Sequence, residues 1–360
     1  MYGPRRIGSV TCGIPPFAPR RLTWRQARTE NPMRLPTICI PLALALAACA
    51  QPAAREQAAA PAATPAPAAS VALAPGERRI KASDGAELYL KVAGRGPVCM
   101  LIHGGPGQGS LSTEKMGADK LEDFLTMVWF DQRGSGKSPD AQDYHLDRVV
   151  QDFEDARQAL GVDKMCLIAH SFGGILAVEY AKRYPQHVSK LVMANTTLHF
   201  LGPENSRMQI DFVNRVLGKQ AVKVAADADD AALAKARDEA RAALMKSGNG
   251  YRFLSETTDS IKVMGEIDGG YARSRGFGNA IFDENAKYPE YMADYTADSA
   301  AVTQPVLVIA GSKDYAVGPD EHKRFRFPNQ KVVVLDGGHI SYYENNAEFV
   351  GAIREFMAER

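Results

Sequence analysis

Three residues of this chain have the types needed to move a proton and attack a carbonyl carbon, and each follows a short apolar run. Ser171 stands in Ala169-His170-Ser171-Phe172-Gly173-Gly174. The run Lys164–Ile168 precedes it, and Ile175–Lys182 follows with apolar residues at helical spacing and no breaker before Pro185. A strand that turns sharply into a helix pushes its central side chain out of the turn. A serine placed there holds its hydroxyl at a helix N-terminus, where backbone N–H groups stabilise negative charge. Asp314 follows Val306–Ala310 in Gly311-Ser312-Lys313-Asp314, and His339 follows Lys331–Leu335 in Asp336-Gly337-Gly338-His339. A serine hydroxyl is a poor nucleophile until a base takes its proton. A histidine can do so near neutrality, and a carboxylate fixes its tautomer and stabilises the cation that forms. Ser171, Asp314 and His339 are therefore the candidate catalytic set.

Elimination favours the same histidine. Of the seven histidines, His103 belongs to a glycine loop, and His170 adjoins the serine and is expected to point elsewhere. His145, His187, His199 and His322 lie where no strand end precedes them. Asp320 is too far along its segment to replace Asp314, and Asp336 is followed at once by glycines that suit a turn. The loop His103-Gly104-Gly105-Pro106-Gly107 ends another apolar run, Val98–Ile102. Its glycines let backbone approach a ligand closely, so Gly104 is a candidate substrate contact and the N–H groups of Gly105 and Phe172 are candidates for an oxyanion hole. Asp131 and Arg133, after the strand-like Met127–Phe130, are expected to hold the loops through an internal ion pair.

These residues must be positioned by alternating strands and helices. Arg78–Ala82 and Leu88–Val92 alternate around Ser83-Asp84-Gly85 and predict a hairpin, with further strands at Val98–Ile102, Met127–Phe130 and Leu191–Ala194. An amphipathic helix capped by Asp147 is expected to run to about Leu160, stopping at Gly161. The alternation lapses from about Thr196 to Ser299, where Asp229–Met245 reads as helix, and resumes with Val306–Ala310, Lys331–Leu335 and a terminal helix over Asn346–Met357. The expectation is a mostly parallel sheet with helices on both faces, active residues at its carboxyl edge, and a helical insertion at about 196–299.

With the glycine loop, Asp131-Gln132-Arg133-Gly134-Ser135-Gly136 and the elbow at Ser171 together, residues 77–360 resemble the prolyl iminopeptidase family of serine peptidases within the α/β-hydrolases. That resemblance implies an α/β-hydrolase fold whose insertion is a cap domain, and removal of an N-terminal residue, often proline, from short peptides without cofactor or metal. Phe172 stands where that family commonly has tryptophan. An aminopeptidase must also hold a protonated amine, which a partly desolvated carboxylate does economically. Glu256, Asp259, Glu266 and Asp268 are the candidates, with a solvated helical face as their alternative role; Glu256 and Glu266 are taken as substrate-binding. The competing readings are a carboxylic-ester hydrolase on the same three residues, and a binding lipoprotein that kept the fold and lost the chemistry.

Charge and cysteine usage describe the rest. The formal charge is +1, but residues 1–49 hold seven arginines against one glutamate, +6, which leaves −5 for residues 50–360. A mildly acidic body argues against nucleic acid as a partner. After a leader or over-extended start at 1–32, Met33-Arg34 and the apolar Leu35–Ala48 fit a signal segment of residues 33–49. It closes on Leu46-Ala47-Ala48-Cys49, which resembles a bacterial lipobox and implies lipidation at Cys49 and attachment to the cell envelope; an ordinary cleaved signal is the alternative. Residues 50–76, rich in alanine and proline, read as a disordered tether spanning on the order of 30 Å. Cys99 and Cys166 sit in strand-like runs and read as buried thiols, without zinc-ligand spacing.

Overall fold

Apolar runs bounded by glycine and proline become strands. In the computed structural model, residues 73–218 and 220–359 are described. The leader, the signal segment, Cys49 and most of the tether lie outside them. All the described residues fall in one unit, Ala66–Arg360. Eight strands, β1 (Gly76–Lys81), β2 (Glu87–Gly94), β3 (Val98–Ile102), β4 (Thr126–Phe130), β5 (Met165–His170), β6 (Val188–Ala194), β7 (Val306–Gly311) and β8 (Gln330–Leu335), form a single sheet. Their order is β1-β2-β4-β3-β5-β6-β7-β8. Only β2 runs against its neighbours, pairing antiparallel with β1 and β4, and every later pairing is parallel.

Because side chains alternate across a strand, each central strand feeds two cores. Met100, Ile102, Leu167, Ala169 and Met193 face helices α2 (Leu146–Ala159) and α3 (Gly173–Arg183), which follow the short α1 (Leu111–Lys115). Leu101, Ile168, Val192 and Leu307 face the other side. There the last helix, α9 (Asn346–Ala358), covers them with Phe349, Ile353 and Phe356 after the single turn α8 (Ser341–Glu344). Cys99 and Cys166 are direct register partners on β3 and β5 with free, fully buried thiols. Burial pushes the Cys99 thiol well above its ordinary pKa.

Between β6 and β7 the chain leaves the sheet and builds α4 (Pro203–Val216), α5 (Asp230–Lys246), α6 (Asp259–Gly269) and α7 (Gly276–Asp283), termed the cap below. Helices α4 and α5 share an apolar cluster of Ile210, Val213, Leu233, Ala240, Leu244 and Phe253, separate from the two sheet cores. Asp229 caps α5, its carboxylate accepting from the Ala232 N–H at 2.8 Å. The cap expected at Asp147 is placed differently. Helix α2 starts two residues earlier, with His145 in the capping position and Asp147 in the first turn. The Asp147 carboxylate is taken by Arg183, and Glu290 supplies the missing acceptor for the Leu146 N–H, at 3.2 Å.

Candidate active site

Ser171 sits between the end of β5 and the start of α3 with φ +55°, a left-handed conformation that few non-glycine residues adopt. Its carbonyl accepts from the N–H groups of Gly174 (3.1 Å) and Thr197 (3.2 Å), so the turn is tied from both sides. The crowding explains the small residues around it. A methyl on Gly173 would overlap the Ile102 carbonyl oxygen, one on Gly104 would lie 2.6 Å from Ser171 Cβ, and one on Gly174 2.7 Å from Thr196 Cβ. Ser171 keeps partial exposure, whereas its neighbours on both sides are buried.

Asp314 and His339 come from the loops after β7 and β8. The His339 Nδ1–H donates to Asp314 Oδ2 at 2.8 Å, which leaves Nε2 as the basic nitrogen. The carboxylate also accepts from the Ala316 and Val317 N–H groups (3.0 and 3.1 Å) and from Asn195 Nδ2 (3.0 Å). Burial alone would raise the Asp314 pKa; the neighbouring His339 and these donors outweigh it and hold the carboxyl below the usual range. Asn195, at the end of β6 with φ +49°, gives its amide to Asp314 and to Gly338 O (3.1 Å) and accepts from the Ser341 hydroxyl (2.6 Å). It locks the two loops together. Sequence reasoning missed it, although an asparagine directly after a buried strand is the residue type that tolerates a left-handed turn.

His170, expected to point elsewhere, packs against His339 instead, ring centroids 4.8 Å apart, and donates from Nε2 to the His339 carbonyl at 3.0 Å. Full burial, and the adjacent His339, depress its pKa to about 3, so it stays neutral. His103 holds the glycine loop. Its Nε2 accepts from the Gln132 N–H (3.1 Å), so Nδ1 carries the proton and donates to Gly104 O (3.0 Å). In a trans peptide the C=O and the next N–H point oppositely. Anchoring Gly104 O thus aims the Gly105 N–H away from His103. Among the described residues neither that N–H nor the Phe172 N–H, at the capping position of α3, has a protein acceptor. Gly105 has φ +118°, which only glycine adopts without strain.

The ion pair expected between Asp131 and Arg133 is not the one formed. Asp131 accepts backbone N–H groups from Ser110 (2.6 Å) and Lys137 (2.7 Å), tying two loops. Arg133 is buried against Asp152 (2.6 and 2.7 Å) and Asp84 (2.9 Å). Both are structural; apart from Lys137, the partners named lie 19 or more residues away, beyond what local spacing shows.

Gly105, Ser171 and His339 line one cavity of about 920 Å³. Cap residues, Phe200, Arg241, Asp268, Arg273 and Phe282 among them, form its other walls. Glu256 and Glu266 do not face it: both are exposed, and Glu256 pairs with Lys313 at 2.8 Å. Asp268 does line the cavity, half-buried, with Oδ2 2.8 Å from Arg273 Nη1; burial raises its pKa against the opposing charge of Arg273. Among the described residues no group of three or more His, Cys, Asp and Glu side chains is arranged to hold a metal ion.

Residues 97–346 match the alpha/beta hydrolase fold family. A proline iminopeptidase from Pestalotiopsis fici is 26% identical over 282 residues, 76% of this chain and 97% of the relative. Among solved structures, a proline iminopeptidase-related protein from Thermus thermophilus superposes with a TM-score of 0.61 at 24% identity, covering 79% of this chain and 98% of the other. An esterase from Thermogutta terrifontis superposes with 0.56 at 22% identity, covering 78% and 98%. A family match over most of the described residues, with the sheet order and elbow set out above, means that this chain is a hydrolase belonging to the alpha/beta hydrolase fold family.

Proposed function

We propose that the chain is a serine hydrolase that releases the N-terminal residue, proline or a small one, from short peptides through an acyl-enzyme. The observation that carries this is the Asp314–His339 pair at 2.8 Å, whose histidine lines one cavity with an elbow serine and with the glycine loop that resembles the iminopeptidase form. In this reading the Ser171 hydroxyl attacks the scissile carbonyl while His339 Nε2 takes its proton. The Gly105 and Phe172 N–H groups receive the oxyanion, each worth roughly a hundredfold or more in rate. His339 then delivers its proton to the leaving amine, and water repeats the sequence to free the acid. Asp268, the carboxylate of the α6 segment that lines the cavity, supports this reading as the group that would meet the substrate's amine beside Arg273.

The test compares proline arylamide, its N-acetyl form and a short-chain aryl ester. Cleavage of the first and loss on acetylation are expected. Rapid ester cleavage without arylamide turnover would replace the peptidase by the carboxylic-ester hydrolase.

For the residues outside the described ones, the sequence supports a second proposal: lipidation at Cys49 and attachment to the bacterial cell envelope through the Ala/Pro-rich tether. Cys49→Ala should abolish acyl mass on the protein and its membrane fractionation. A wild-type protein that is soluble and unacylated would leave an ordinary cleaved signal instead.

A further inference from the structure

The cavity wall carries charge at two places, and each is wired to a different part of the catalytic apparatus. At one, Arg273 pairs with Asp268 and donates to Gln108 O at 3.2 Å, in the loop that carries Gly105. This is the side of the oxyanion, hence of the acyl group. At the other, Arg241 Nη1 donates to Gln209 Oε1 at 3.1 Å, Gln209 Nε2 donates to Ala316 O at 2.8 Å, and the Ala316 N–H donates to Asp314 Oδ1 at 3.0 Å. Three hydrogen bonds therefore fix Arg241 to the loop of the triad carboxylate. That loop orients His339, the group that protonates the leaving group.

Among the described residues, Arg241 is also the arginine of that wall that no carboxylate contacts; Asp238, three residues before it, is held by Arg237. Arg237, one turn earlier on α5, is saturated. Its Nε and Nη2 donate to Asp238 at 3.0 and 2.9 Å, and its Nη1 donates to Leu201 O at 3.2 Å. Asp230, which also lines the cavity, lies eleven residues before Arg241 on the same helix, about 16 Å along the axis. Arg241 has no carboxylate partner among the described residues; it rests over the Phe253 ring at 5.3 Å and is open to the cavity. Partial desolvation in the cavity wall and the charge of Arg237 lower its pKa against the opposing charge of Asp238, so an arriving anion relieves a repulsion that α5 itself offsets only in part. Arg275 lines the cavity too, but among the described residues no hydrogen bond holds its side chain in place.

Resting on the aminopeptidase reading above, we propose that Arg241 receives a carboxylate carried by the leaving group, so that the preferred substrates are di- and tripeptides with a free C-terminus. Arginine suits that task because its planar fork matches a carboxylate bidentately. The test is the ratio of kcat/KM for prolyl-alanine to that for prolyl-alaninamide, which differ only in the terminal charge. The wild type is expected to favour the acid by about tenfold to a hundredfold. Arg241→Gln should bring the ratio near one, and Arg241→Lys should restore part of it. A variant that merely folds badly loses both rates together and leaves the ratio in place. A wild-type ratio near one, or a ratio that Arg241→Gln leaves unchanged, would overturn the assignment. Should the protein cleave esters and no peptides, the aminopeptidase reading falls by itself. The same ratio, measured on acetyl esters of 4-hydroxybenzoate and 4-hydroxybenzamide, then decides for or against Arg241.

Discussion

At the scale of single residues, the site divides into groups that react and groups that hold them. Ser171→Ala should lower turnover by at least about a thousandfold while leaving thermal stability almost unchanged, because the left-handed turn is held by backbone bonds to Gly174 and Thr197. Active-site titration with a fluorophosphonate should label Ser171 alone; label elsewhere would contradict the assignment. His170 makes a different prediction. Its pKa near 3 when folded lies below the ordinary 6.5, so the unfolded chain binds more protons between those values, and stability is lost as pH falls below about 6.5. Its share of that loss between pH 7 and 5 is about 2 kcal/mol. Asp314, held below the usual carboxylate range, adds a further loss in more acid solution. His170→Gln keeps the donor to the His339 carbonyl but not the titration. Denaturant melts at pH 7 and pH 5 should therefore show a smaller acid loss in the variant. Ser171, Asp314 and His339 were legible because each follows an apolar strand. Asn195, His170 and Arg241 were not, since their partners lie 119, 169 and 32 residues away in sequence.

At the scale of elements, the elbow and the glycine loop are two turns packed against each other, and the glycines mark where. Gly104→Ala would drive a methyl to 2.6 Å from Ser171 Cβ, so one of the two turns must move. The expected outcome is a fall of about a hundredfold or more in kcat with a modest drop in Tm, since a shift of 1 Å at reacting atoms is enough to cost that much. Gly173→Ala meets strand backbone and should cost about 3 kcal/mol or more in stability, read from urea melts. Strand positions were legible to within a few residues, because apolar runs of that length between breakers have little other use in a domain this large. The fine placement of charges was not. Helix α6 turns Met264 and Asp268, one turn apart, to the cavity, whereas Glu266 falls on the solvent side, and only the packing of Ile261, Val263 and Ile267 settles that rotation.

At the scale of the whole molecule, the cap covers the strand ends and limits what reaches them. With the cavity walled on one side by the sheet loops and on the other by α4 to α7, cleavage should fall steeply as peptides lengthen, and a folded protein with N-terminal proline should not be processed. Product release from a ladder of prolyl peptides, two to about ten residues long, measures this; equal rates along the ladder would mean an open cleft. The apolar cluster shared by α4 and α5 has one more consequence. The α4–α5 pair owns its interior and can be rebuilt or lengthened without repacking either face of the sheet, which α6 and α7 cannot, since Ile267 and Phe277 pack into the sheet cores. Selectivity set by α4 and α5 is thus free to diverge from the chemistry at its own speed. Gln209 is a seam between them: it touches Arg241 in the cap and Ala316 beside the triad carboxylate. A graft of a foreign cap would have to restitch that seam for the transplanted selectivity to reach the reaction.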